Sequence, residues 1–322
     1  MFVLSGLAIV PLAAWLGRAT EALAAQAGSG VGALLNATFG NATELIVAIV
    51  ALRAGLVEVV KASLAGSIIG NLLLVLGLSL LLGGLRRERQ EFNRMAASVA
   101  ASAMALATIG LVLPAAFSLT TRASNRSDEG ALSLLVAALL IALYLLSLVF
   151  SLGTHAHLYA GDTHEQSERT WPVPRALVVL AASTAGLGLM SELLVGSLEG
   201  AVRQLGWSEL FIGVIFVPII GNAAEHATAV VAATKDRMDL SLGIALGSST
   251  QVALLVAPIL VFASIVLGHP MDLIFPAIEL VALSAGVAIA ALITLDGESN
   301  WFEGAQLLTA YGVIAVVMFL AV

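Results

Sequence analysis

Gly40-Asn41-Ala42-Thr43-Glu44 returns 181 residues later as Gly221-Asn222-Ala223-Ala224-Glu225. The same offset carries Gly66-Ser67 onto Gly247-Ser248 without a gap. Both copies of the motif lie inside long apolar stretches, where a carboxylate costs roughly 2.5–3.5 kcal/mol on insertion scales. Chance is a poor explanation for so costly a group duplicated in register. The duplication implies two half-molecules, each contributing one acidic arm to a shared cation site.

Working outward, 60% of the 322 residues are hydrophobic and 11% charged, with a mean hydropathy of +1.03. That composition excludes a soluble globular domain. A spanning helix needs about 20 mostly apolar residues. The apolar runs give ten candidates, at 2–24, 33–53, 60–84, 95–117, 131–152, 174–202, 210–233, 240–267, 272–295 and 303–322. They are continuous rather than alternating, which disfavours a membrane barrel. The expected fold is therefore an all-α polytopic membrane protein of about ten transmembrane helices.

The longest polar stretch, Gly153 to Arg175, divides the ten candidates five and five. Five crossings per copy force the second copy to enter from the opposite side, giving an inverted repeat. The expected units are a first repeat over 1–152, a polar linker over 153–173 and a second repeat over 174–322. Each duplicated motif falls on the second helix of its half, and each Gly-Ser on the third.

Arg86, Arg87, Arg89, Arg94, Arg169, Arg175, Lys235 and Arg237 share one side, against Arg53, Lys61, Arg122, Arg126 and Arg203 on the other. The excess of eight over five places both termini outside and the central loop in the cytosol. No basic segment precedes Phe2-Val3-Leu4, so the N-terminus reads as a span rather than a cleaved leader. With no organelle-targeting segment either, a prokaryotic plasma membrane is the expected location. A net charge of −7 argues against a nucleic-acid partner, and the absence of cysteine excludes disulfides and thiolate metal sites.

Asn41 and Glu44 share a helix face, as do Asn222 and Glu225, because each pair is three residues apart. Gly40 and Gly221 loosen the helix, and Pro218 removes a backbone donor, freeing a carbonyl one turn earlier. Carbonyls beside carboxylates suit a hard, oxygen-seeking cation. On the third helix Ser63, Ser67, Gly70 and Asn71 make a small polar stripe. Its counterpart, Gly247-Ser248-Ser249-Thr250-Gln251, is unusually polar for a span.

These stretches, GNATEL (40–45) with SLAGSIIGNLLLVLG (63–77) and GNAAEH (221–226) with ALGSSTQVALLVAP (245–258), resemble the two signature repeats of the cation/proton exchanger family. Asp296-Gly297-Glu298-Ser299-Asn300-Trp301-Phe302-Glu303-Gly304 resembles that family's last loop. Members that resemble this chain are Ca2+/H+ antiporters within the Ca2+:cation antiporter superfamily. The resemblance implies that Glu44 and Glu225 bind Ca2+ or protons alternately, assisted by Asn41 and Asn222. It implies that Ser67, Ser248, Ser249 and Gln251 line the path, with Asn71 on the facing helix, and that His226 either couples to protonation or packs. Ca2+ and H+ would be the substrates, other divalent cations possible ones, and no cofactor is required.

Glu21 and Glu199 precede the two motifs at similar distances, while Glu192 and Glu279 stand alone in apolar runs. Each reads equally as a structural hydrogen-bonding group or as part of a proton or ion path. The cluster of His155, His157, Asp162, His164, Glu165 and Glu168 reads as a solvated loop or a cytosolic Ca2+-sensing segment, and matches no structural zinc spacing. Two other functions fit the sequence less well. Na+-coupled Ca2+ exchange fits the same architecture, although that relative typically places acids where this chain has Asn71 and Gln251. An intramembrane hydrolase using Ser248 or Ser249 with His226 lacks any supporting motif.

Overall fold

The computed structural model describes residues 1–27, 29–120, 126–156 and 171–321. Lipid offers no hydrogen bonds, so apolar segments must satisfy their own backbone, and helices result. In the first half these are α1 (Phe2–Ala27), α2 (Ser29–Phe39), α3 (Ala42–Arg53), α4 (Val57–Gly84), α5 (Arg94–Thr120) and α6 (Arg126–Leu148). In the second they are α7 (Val173–Gly196), α8 (Leu198–Leu205), α9 (Glu209–Gly221), α10 (Ala223–Thr234), α11 (Met238–Val266), α12 (Ala277–Ile293) and α13 (Trp301–Leu320). A two-residue antiparallel ribbon, β1 (Gln90–Glu91) with β2 (Glu298–Ser299), joins two loops.

Among the described residues seven helices (α1, α4, α5, α6, α7, α11 and α13) are long and apolar enough to cross a membrane unbroken. The other three expected crossings differ for local reasons. Two are split at the duplicated motifs, into α2 and α3 and into α9 and α10. The third, α12, has 17 residues. One expected boundary is corrected: the span read as 174–202 ends at Gly196. Ser197 there turns its hydroxyl back onto the Leu193 and Leu194 carbonyls. Polar Glu199, Arg203 and Gln204 then fall in the separate short helix α8.

Contacts between loops obey the parity of ten crossings. On one side Gln26 donates to the Trp171 carbonyl (2.7 Å), Arg87 pairs with Asp236 (3.1 Å), the Asn93 N–H reaches Asp239 (2.6 Å), and β1 pairs with β2. These join loops after the first, third, fifth, seventh and ninth crossings. On the other side Lys61 holds Asp272 (2.7 Å) and the Ile274 carbonyl (3.0 Å), and the Leu273 N–H reaches Ser133 (3.0 Å). There too Gly55 abuts His269, and Ser208 reaches the Met318 carbonyl (3.4 Å).

The repeat is visible in backbone detail. Gly55 and Asp236, one offset apart, are both left-handed, with φ of 77° and 64°. Wide π turns interrupt α4 at Gly70–Val75 and α11 at Val252–Val256, again in register to within a residue. These two helices form the centre: 83% of the apolar window of α4 is buried and 56% of that of α11. By contrast α1 and α7, which lie against each other, are 39% and 22% buried. The molecule thus has an enclosed core and a more exposed outer pair.

Candidate functional site

Both motifs kink their helix at asparagine, with near-equal torsions: φ −98°, ψ 18° at Asn41 and φ −104°, ψ 7° at Asn222. This sparsely populated backbone region opens the helix for one residue, and π turns or kinks of this kind favour functional sites. Neither asparagine caps its own helix with its side chain. Both are therefore free to reach across. Glu44 and Glu225 fall in the first turns of α3 and α10, where the helix dipole favours negative charge.

The kinks meet. A Cβ added at Gly40 would lie 3.9 Å from Oε1 of Glu225, so the acid of one half sits beside the break of the other. The two carboxylates are close enough to act on each other's charge, and the Asn222 side chain lies beside Glu44. Asn222 also donates to Ser67 Oγ (3.3 Å) and to the Pro218 carbonyl (3.2 Å). Asn41 donates to Gln251 Oε1. Ser248 lies beside Glu225 and accepts from Asn71 Nδ2 (3.1 Å), whose Oδ1 meets His226 Nε2 at 3.0 Å. An amide oxygen only accepts, so His226 donates through Nε2 in this chain.

Close approach at the site depends on glycine. Pro218 has no N–H to give the Val214 carbonyl, and Gly66 of α4 faces that carbonyl directly. A Cβ at Gly66 would collide with it, and one at Gly213 would come within 2.6 Å of the Ala62 side chain. So the expected freed carbonyl lies at a helix crossing.

What remains unsatisfied is itself repeated. Asn41 Oδ1, Glu44 Oε1, Asn222 Oδ1 and Glu225 Oε2 are buried oxygens without a hydrogen-bond donor. They form two pairs related by the 181-residue offset, and no other orphan polar atom among the described residues has such a mate. Buried oxygens without donors are costly, and these four are available to accept from a proton or a cation. Among the described residues no three His, Asp or Glu side chains gather as a metal centre. The donor set is two carboxylates with amides and hydroxyls.

The other candidates are placed as follows. Ser249 is fully buried and spends its hydroxyl on the Ala245 carbonyl (2.9 Å) of its own helix. Glu21, Glu192 and Glu199 are exposed. Glu279 is buried beside Lys61 and Glu58, away from the duplicated motifs. Lys61 was missed as anything but a loop charge; it is buried, and its three acceptors are Asp272, the Ile274 carbonyl and Glu58. A lysine four residues inside a helix, spaced from Glu58 by three, was the available signal. Of the histidine-acid cluster only His155 is described, bonded to Thr154 (2.8 Å) and stacked on Phe150; the rest lies outside the described residues.

The model of the sodium/calcium exchanger protein family matches residues 1–153 and 175–320. A Ca2+/H+ antiporter of Synechocystis is 50% identical, over 99% of this chain and 90% of its own length. The Ca2+/H+ antiporter ChaA of Bacillus subtilis is 45% identical, over 99% and 92%. The solved structure of native YfkE superposes with a TM-score of 0.86 at 42% identity, over 99% of this chain and 92% of that one. The H+/Ca2+ exchanger CAX, at 16% identity and a TM-score of 0.74, shares the fold. With both repeats covered by the family model and half of all positions shared with one relative, this multi-pass membrane protein belongs to the sodium/calcium exchanger family.

Proposed function

We propose that the chain exchanges Ca2+ for H+ across a plasma membrane, with Glu44 and Glu225 alternately holding the cation or protons. The observation that carries this reading is the set of four donorless oxygens, two from each kinked helix pair. Ca2+ takes six to eight oxygens at about 2.3–2.6 Å. Glu44, Glu225, Asn41 and Asn222 can supply part of that shell, and water and loosened carbonyls the rest. Two carboxylates in water-poor surroundings repel each other unless a counter-charge lies between them. One Ca2+ relieves that repulsion, and so do protons; both cannot occupy the pair at once. Competition for one pair of groups is sufficient for exchange.

The names of the relatives favour H+ over Na+ as the counter-ion. Alternating access follows if the exposed pair α1 and α7 moves past the enclosed α4 and α11. Where α1 meets α9, the small Gly6 lies against Ile220, which suits a sliding surface. The test is Ca2+ uptake into proteoliposomes under a pH gradient or a Na+ gradient. Uptake driven by pH, and lost in Glu44→Gln and Glu225→Gln, supports the proposal. Uptake driven only by Na+, or retained in either variant, rejects it.

A further inference from the structure

Where α4 ends and α13 begins, a cavity of about 560 Å³ opens between residues 84–88, Asn300 and Trp301. Gly84 packs so closely on the start of α13 that a Cβ there would lie 2.7 Å from the Trp301 nitrogen. The cavity is therefore at the level where two spans leave the membrane. Its arginines are not equivalent. Arg87 is committed to Asp236 and to the Gly83 and Thr234 carbonyls, and neighbouring Arg89 to Glu298. Arg86 is exposed and has no partner among the described residues. Glu88 is exposed at the rim, free to face water. Trp301 is 48% exposed and opens α13, and tryptophan at the end of a span favours the headgroup layer.

A second cavity of about 400 Å³ lies along α13, starting at the residue after Trp301 and lined by Phe302, Ala305, Gln306, Thr309, Ala310 and Val313. These residues share one face of the helix and extend it by roughly 16 Å at 1.5 Å per residue. Phe302 and Val313 on this face are exposed, at 56% and 60%. The order is thus an unpaired guanidinium, an interfacial ring and then an apolar groove with small residues. A phospholipid has that same order of parts.

We propose that the α4–α13 join binds an anionic phospholipid, its phosphate on Arg86 and an acyl chain in the α13 groove. A guanidinium bonds phosphate oxygens through charge-assisted hydrogen bonds, and basic pockets between helices on the cytosolic face collect anionic headgroups. A soluble phosphate would use the upper cavity alone. The groove beneath it selects the lipid.

The test uses the delipidated full chain in phosphatidylcholine nanodiscs, titrated with phosphatidylglycerol and followed by native mass spectrometry and thermal melting. Wild-type protein should retain phosphatidylglycerol in preference to phosphatidylcholine and melt higher with it. Arg86→Gln should weaken that retention about tenfold, the loss of one charge-assisted contact. Ala310→Trp should weaken it by filling the groove while leaving Arg86 in place. Ca2+ exchange in pure phosphatidylcholine should be unchanged in both variants. Equal retention of the two lipids, or an Arg86→Gln variant that behaves as wild type, overturns the proposal. It is equally overturned if inorganic phosphate raises the melting temperature as much as the lipid does. A change of oligomeric state in the variants without any lipid effect would assign the face to a second copy instead.

Discussion

Set 181 residues apart, the two halves agree at Gly40 and Gly221, Asn41 and Asn222, Glu44 and Glu225, Ser67 and Ser248. One step away they part: Leu45 faces His226 in the comparison, Ile68-Ile69-Gly70 faces Ser249-Thr250-Gln251, and Gly55 faces Asp236. Shared positions are those whose oxygens or kinks a single cation would need from both sides. Unshared positions make the second half the more polar one. Its His226, reaching Asn71, and its Gln251, reached by Asn41, stitch each half to the other. An inverted repeat can thus keep one site symmetric while its supports diverge.

The largest expected effect falls on the shared acids. Glu44→Gln and Glu225→Gln should each reduce pH-driven Ca2+ uptake by more than about 100-fold, the loss expected when a transported charge has no carboxylate to meet it. A mutant that keeps most of its uptake would make one half dispensable. Next comes the paired glycine. Gly66 faces the Val214 backbone, whereas nothing lies near Gly247. Gly66→Ala should therefore destabilise the protein by about 3 kcal/mol or fail to fold, and Gly247→Ala should melt close to wild type. Equal melting temperatures would show that α4 and α9 adjust freely.

His226→Leu places the first half's residue type in the second. It removes one part-buried hydrogen bond to Asn71, so apparent Ca2+ affinity should fall roughly tenfold with the fold intact. An unchanged affinity would reduce His226 to packing. The smallest effects lie at the left-handed pair. Gly55→Ala should cost about 1 kcal/mol in a melt, because φ is 77° there. Asp236→Gly loses only a pair with Arg87 whose acid is 63% exposed, and it relieves φ, so it should be near neutral. A large loss there would mean that the Arg87–Asp236 contact holds that side of the molecule shut.

Much of this was legible in the sequence because the membrane punishes polar residues. Glu44, Glu225 and their asparagines stand out against apolar runs, and the constant offset of 181 residues discloses the two halves. Burial was not legible. Leucine facing lipid and leucine facing another helix look alike in sequence, so α4 and α11 could not be told from the peripheral spans. For the same reason the apolar runs around Glu21, Glu192 and Glu199 do not disclose that these acids are exposed. The π turns in α4 and α11 depend on tertiary crossing, and no residue in Gly70–Val75 or Val252–Val256 announces them. Ser249 shows the reverse failure, since a hydroxyl in a span can satisfy itself on its own helix.

The central claim is that one Ca2+ and the protons occupy the same two carboxylates. Its most direct test is proton release, read with an indicator in weakly buffered nanodiscs, as Ca2+ is added to the protein. Ca2+ binding to the wild type should release protons, its affinity should fall as pH is lowered, and Glu44→Gln/Glu225→Gln should release none. Ca2+ binding that is tight, pH-independent and without proton release would contradict it.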